Sequence, residues 1–188
     1  MATSHAYRSW PEDRAEGFTV KGVGVRPPSR GIARHRAGLA RQAPVFWSEV
    51  DRSVVFRAVE DVLVEQQACG IYAVAVPQHL HHLFVLDERR CDPEVAAEQI
   101  VGRCRQIAGC RLSKAHGVKG RHWFSRGFHL RRVRGGDHLR RLLLTYLPAH
   151  REQGGLFCGD GRIRVPPQRS VPLTKRELHH LTREALAE

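Results

Sequence analysis

This 188-residue chain has no C-x-x-C pair, no apolar run of membrane-spanning length and no internal repeat. Its five cysteines (Cys69, Cys91, Cys104, Cys110, Cys158) are odd in number and unpaired in spacing. That argues against a disulfide scaffold and against a thiolate zinc site, and it favours free thiols used as small buried hydrophobes. With no signal-peptide or membrane-length segment either, the expected compartment is a reducing, cytoplasmic one. Acidic residues are also scarce: 19 Asp and Glu face 31 Lys and Arg, for a formal charge of +12. Such an imbalance favours a polyanionic partner, because neutralising phosphates releases condensed counterions. Between residues 103 and 141 the only acid is Asp137. Apolar residues still make up 41% of the chain, enough for a packed core.

Residues 1–42 read as a basic, partly flexible arm, with Pro27-Pro28, scattered glycines and Arg26, Arg30, Arg34, Arg36 and Arg41 but no sustained periodicity. Residues 43–155 carry the regular pattern, and 156–188 a C-terminal extension in which Thr174 and Glu177 open a short helix as a capping box. Within the middle segment Val45–Ser48 has strand character. Asp51 precedes an apolar stripe (Val55, Ala58, Val59, Val62, Leu63) that predicts a helix ending before Gly70. Ile71–Val76 and His79–Leu86 predict an antiparallel strand pair, broken at Pro77-Gln78. Asp92-Pro93-Glu94 predicts the start of a helix running to about Ala108. Short strands are expected at Arg121–Phe124 and Phe128–Val133, followed by a helix capped by Asp137 and running through Tyr146. This order fits an α+β, ferredoxin-like split βαβ plan with an antiparallel sheet covered by helices on one face.

His79-Leu80-His81 carries the most chemistry. Side chains alternate along a strand, so His79 and His81 share a face about 7 Å apart and can converge on one metal ion. Leu83 and Val85 continue that face, while His82, Phe84 and Leu86 take the other. Downstream, Lys119, Arg121, Arg126, Arg131, Arg132 and Arg134 surround Trp123. Cations that track a backbone, with aromatic faces for bases, suit single-stranded nucleic acid.

Tyr72 through Leu83 resembles the metal-binding strand pair of the HUH endonucleases, in particular the single-tyrosine transposases of insertion-sequence and REP-associated type. Val76, Gln78 and His82 depart from the usual Met-Pro-Asn-His-x-His-Leu pattern. Ala43–Trp47 is similar to the family's first strand, and Gly120–Arg126 to its Gly-x-x-Trp-x-x-Arg segment. Leu142–Leu147 is similar to its tyrosine helix. The resemblance implies that His79 and His81 hold a divalent ion, Mg²⁺ or Mn²⁺, and that Tyr146 is the nucleophile. It also implies single-stranded or hairpin DNA as partner and allows a homodimer. His150 stands four residues after the tyrosine, where relatives place a third ligand, but Pro148 intervenes and should end or kink the helix near Tyr146. By spacing alone Tyr146 also fits a core residue on the Leu139, Leu142, Leu143 stripe. Two other readings compete with the cutting enzyme: a catalytically silent DNA- or RNA-binding module of the same fold, and a structural zinc protein.

Overall fold

The computed structural model describes residues 1–15, 17–20, 24–86 and 92–158. The expected capping box at Thr174 lies outside the described residues. In chain order the elements are β1 (Ala2–His5), β2 (Phe18–Val20), β3 (Gly24–Arg26), α1 (Arg30–Gly38), α2 (Glu49–Glu65), β4 (Cys69–Ala75) and β5 (His79–Val85). There follow α3 (Pro93–Ala115), β6 (His129–Leu130), α4 (Gly135–Arg141), a π-helical turn at Leu142–Tyr146, a 3₁₀ turn at Pro148–Arg151, and β7 (Leu156–Cys158). β2 and β3 form a separate hairpin; the other strands build one antiparallel sheet in the order β6-β1-β5-β4-β7. This α+β arrangement is compatible with the ferredoxin-like class. Among the described residues no helix is long and apolar enough to cross a membrane.

The two expected strands around Pro77-Gln78 form β4 and β5, displaced from the predicted ends by a residue or two. Asp92 caps α3 as expected, its carboxylate accepting from the backbone N–H groups of Glu94 and Val95. That helix runs on to Ala115 rather than stopping at Ala108, because Cys104, Ala108 and Leu112 continue one buried i, i+4 stripe across Gly109. α2 starts slightly earlier than predicted. Ser48 is the N-cap and Asp51 the third helical residue, and the two bond reciprocally in a capping box.

Three expectations need correction. The first concerns the opening residues, which form β1 in the interior of the sheet instead of an arm: β1 pairs with β5 on one side and β6 on the other. Ala2, Ser4 and Ala6 are fully buried on one face, a period-two pattern of small residues. Second, Val45–Ser48 is extended but joins no sheet. The place beside β5 is taken by β1, and Val45 and Trp47 instead donate to the carbonyls of Tyr7 and Pro77. Arg121–Phe124 likewise contributes only one bridge, from Phe124 to Ala6. Third, helical structure covers both faces of the sheet. α2 and α3 pack on one face with Ala6, Ala73, Ala75 and Leu80, while the segment carrying Leu142, Leu143 and Leu147 packs on the other with Ile71, Val74 and Leu83.

β7 extends the sheet into the segment expected to be an extension. Asp137 lies in the first turn of α4, but Arg134 occupies the capping position and makes no side-chain cap.

Candidate metal centre

Alternation on β5 places His79, His81, Leu83 and Val85 on one face of the sheet and Leu80, His82 and Phe84 on the other. Leu83 and Val85 pack with the 142–147 segment, and Leu80 and Phe84 with α2 and α3. Antiparallel pairing then sets β1 beside the histidines in register, Thr3 opposite His81 and His5 opposite His79. The Thr3 hydroxyl lies 2.8 Å from His81 Nδ1. In the tautomer whose Nδ1–H donates to Thr3, His81 Nε2 keeps its lone pair for a ligand or a metal.

The third histidine arrives through an irregular helix. Pro148 has no N–H and cannot continue an α-helix. The chain ahead of it widens to a π turn, in which the Leu147 N–H donates to the Leu142 carbonyl at 2.9 Å, and then tightens to a 3₁₀ turn. A carbonyl at the helix end needs a donor. His150 Nδ1 supplies one, 3.0 Å from the Tyr146 oxygen and 3.3 Å from that of Leu147. Carbonyl oxygens only accept, so Nδ1 carries the proton and Nε2 is left as a lone pair. Gly155 holds this turn from outside. Its N–H donates to the His150 carbonyl at 2.9 Å, and a Cβ there would sit 2.6 Å from that oxygen.

His79, His81 and His150 are all buried, and one nitrogen from each lies within 4.8 Å of the other two. Two nitrogens on one ion at about 2.1 Å are at most about 4.2 Å apart, so only slight inward rotation separates this arrangement from a ligand set. His79 Nδ1 is buried without a hydrogen-bond partner among the described residues, which fits a nitrogen meant for a metal. Burial, followed by the charges of His5 and His150, pulls His79 down to about 3. Burial with His79 and His150 pulls His81 down to about 2. Both are therefore neutral at pH 7, as ligands must be.

Tyr146 completes the cluster from the same chain. Its hydroxyl is 3.4 Å from His81 Nε2, and its ring meets those of His81 and His150 edge-on at 5.3 Å. At 42% exposure the ring is open to solvent, unlike the core leucines beside it. Desolvation raises the phenol above its ordinary value, against the opposing charge of Arg131.

These groups line a cleft of about 760 Å³, with Trp10, Arg14, His129 and Gln153 along its walls. Among the described residues no acid lines it, so an ion held there by neutral imidazoles would keep its positive charge facing the opening. The guanidinium of Arg14 lies 3.8 Å above the Trp10 ring, whose edge meets His5 and His79. Thr3, His5, Trp10 and Arg14 were missed in the sequence. Their one signal is the alternation of Ala2, Ser4 and Ala6 with Thr3, His5 and Tyr7, which marks a strand.

Of the expected nucleic-acid contacts, Lys119, Arg121, Arg126, Arg131, Arg132 and Arg134 are exposed. Trp123 is not: it is 4% exposed, belongs to the helix-side core and donates its indole N–H to Ser113, so it cannot offer a face to a base. Cys69 and Cys104 are buried, their thiols pushed up to about 11 and about 12 by burial. Among the described residues the metal-competent group contains histidines only. Comparison of the chain with protein-family models, curated proteins and solved structures returned no match.

Proposed function

We propose that this protein is a metal-dependent nuclease-ligase of the HUH, single-tyrosine transposase type, cutting and rejoining single-stranded DNA through Tyr146. One observation carries the reading: the hydroxyl of Tyr146, a residue 42% exposed, lies 3.4 Å from a histidine of a buried three-histidine cluster. A core tyrosine would not need that neighbour.

His79, His81 and His150 would hold the ion. Three imidazoles suit Mn²⁺ better than Mg²⁺, which prefers oxygen donors. When bound, the ion supplies positive charge that polarises the scissile phosphate. The chain's own groups do the rest. Thr3 fixes the His81 ring, and the Tyr146 and Leu147 carbonyls fix His150. The Tyr146 oxygen forms a bond to phosphorus as the bond to the 3′ oxygen breaks. The phenol proton leaves, and the departing 3′ oxygen takes one up. The product is a 5′-phosphotyrosine and a free 3′-hydroxyl, with the energy of the broken ester kept for rejoining. Arg131 opposes the rise in the phenol's pKa and so favours the attacking phenolate. Every group assigned to this step belongs to one chain.

The test is adduct formation. Protein with Mn²⁺ is incubated with 3′-labelled single-stranded hairpin DNA of randomised flanks and resolved under denaturing conditions. A labelled adduct should form with wild type, Tyr7→Phe and Tyr72→Phe, and vanish with Tyr146→Phe. An adduct that survives Tyr146→Phe, or maps to another residue, sinks the mechanism. Hairpin binding without any adduct would leave the binding module as the reading.

A further inference from the structure

A second groove, of about 840 Å³, opens from the cleft along the N-terminal unit. His5 and Trp10 line both, so the groove adjoins the cleft that holds Tyr146. Its far wall is α1, a nine-residue helix with no buried residue. Core packing does not explain such a helix, since ordering its backbone costs about 1–2 kcal/mol per residue and nothing apolar is sealed by it. What α1 presents instead is charge. Arg30 and Arg34 line the groove with Arg8 from the strand end, and none of the three is in an ion pair among the described residues. Of the two acids among the described residues there, Glu12 is bonded to Arg36 at 2.5 Å, leaving Asp13 against three arginines.

Phe46 supplies the second feature. Val45 and Trp47 are anchored inward, so the extended backbone turns Phe46 outward, and it stands 58% exposed within this groove. A phenyl ring in water among cations gains nothing from the fold, but an unpaired base can stack on it.

Resting on the reading of the cleft as a phosphodiester site, we infer that this groove holds the single-stranded DNA flank that leads to the scissile phosphate. Arg8, Arg30 and Arg34 take phosphates, and Phe46 takes one base. A duplex has no unstacked base to offer Phe46, which makes the groove selective for single strands.

Binding of a fluorescent single-stranded oligodeoxynucleotide of mixed sequence to Tyr146→Phe protein in EDTA, followed by anisotropy across a salt series, separates this proposal from the chemistry. Phe46→Ala should weaken binding about 5- to 100-fold, the worth of one stacked base. The double change Arg30→Gln/Arg34→Gln should flatten the slope of log K against log salt by about 1.4, at roughly 0.7 per phosphate contact. Arg103→Gln/Arg111→Gln, on α3, should change neither. All of these positions are exposed, so circular dichroism and Mn²⁺ affinity should match the parent. Groove variants that bind like the parent overturn the inference. A parent that binds no single strand overturns it together with the cutting reading. Groove variants that lose binding in a protein whose Tyr146 never forms an adduct leave the groove standing and remove the cutting reading alone.

Discussion

His81 and His82 are neighbours in the chain on opposite faces of one sheet, and both are held neutral by burial, pulled to about 2 and about 3. Their settings otherwise differ in kind. His81 has a hydroxyl on each ring nitrogen, Thr3 at 2.8 Å and Tyr146 at 3.4 Å, and opens on a cleft. His82 lies between Ala2 and Ala73 of the flanking strands, against the Phe84 ring, with neither nitrogen bonded among the described residues. Low basicity therefore does not mark a ligand. What distinguishes His81 is an opening in front of one nitrogen and a partner that orients the other.

The contrast breaks most severely on the helix face. Leu80→Ala empties a fully buried site among α2 and α3 and should cost about 2–5 kcal/mol, read from the denaturant midpoint. Mn²⁺ affinity of the protein that remains folded should be unchanged. On the other face the readouts invert. His79→Ala, His81→Ala or His150→Ala should lower Mn²⁺ affinity on the order of 10- to 100-fold by calorimetry, at least the loss typical of orienting groups. His82→Ala should leave it intact. Equal losses from all four would mean that the faces are wrongly assigned.

Acid should act on both faces at once. His79, His81 and His82 have folded values depressed below the ordinary one, so the unfolded chain binds protons first as pH falls. Stability of the metal-free protein is full above about pH 6.5 and declines toward about pH 3, by on the order of 1 kcal/mol per pH unit for each histidine. His82→Phe should make that decline shallower by one proton, as measured by urea unfolding at several pH values; an unchanged slope would mean that His82 is not buried as a neutral ring. The smallest effect expected is that of Thr3→Val, which keeps the strand and frees the His81 ring to turn. Mn²⁺ affinity should fall by roughly 10-fold or less, with stability changed by about 1 kcal/mol.

The centre of the site was legible in the sequence because it obeys local rules. Strand alternation alone puts His79 and His81 together, and four-residue spacing puts His150 near Tyr146. What was illegible depends on long-range pairing. Nothing near Thr3 announces that β1 will lie between β5 and β6, and a short strand of small residues among arginines reads as a tail. The same insertion displaced Val45–Ser48 from the role its strand pattern suggested. Trp123 misled for a related reason: basic neighbours implied an exposed ring, yet Ser113 of α3 takes its N–H and the core takes the rest. Pro148 was correctly read as a break near Tyr146: the backbone widens to a π turn that ends at Tyr146 and then tightens to a 3₁₀ turn.

That widened turn has a geometric consequence. In an unbroken α-helix Leu143, Tyr146, Leu147 and His150 would fall on one stripe, and the phenol and imidazole would inherit the direction of the leucines. Residues 142–146 hold one more residue than an α turn does, so the residues after it lag in angular phase by up to one residue's rotation, about 100°. A single stretch of chain thus serves two compass bearings. Leu142, Leu143 and Leu147 seat on the sheet, while Tyr146 and His150 point at the strand end where His79 and His81 wait.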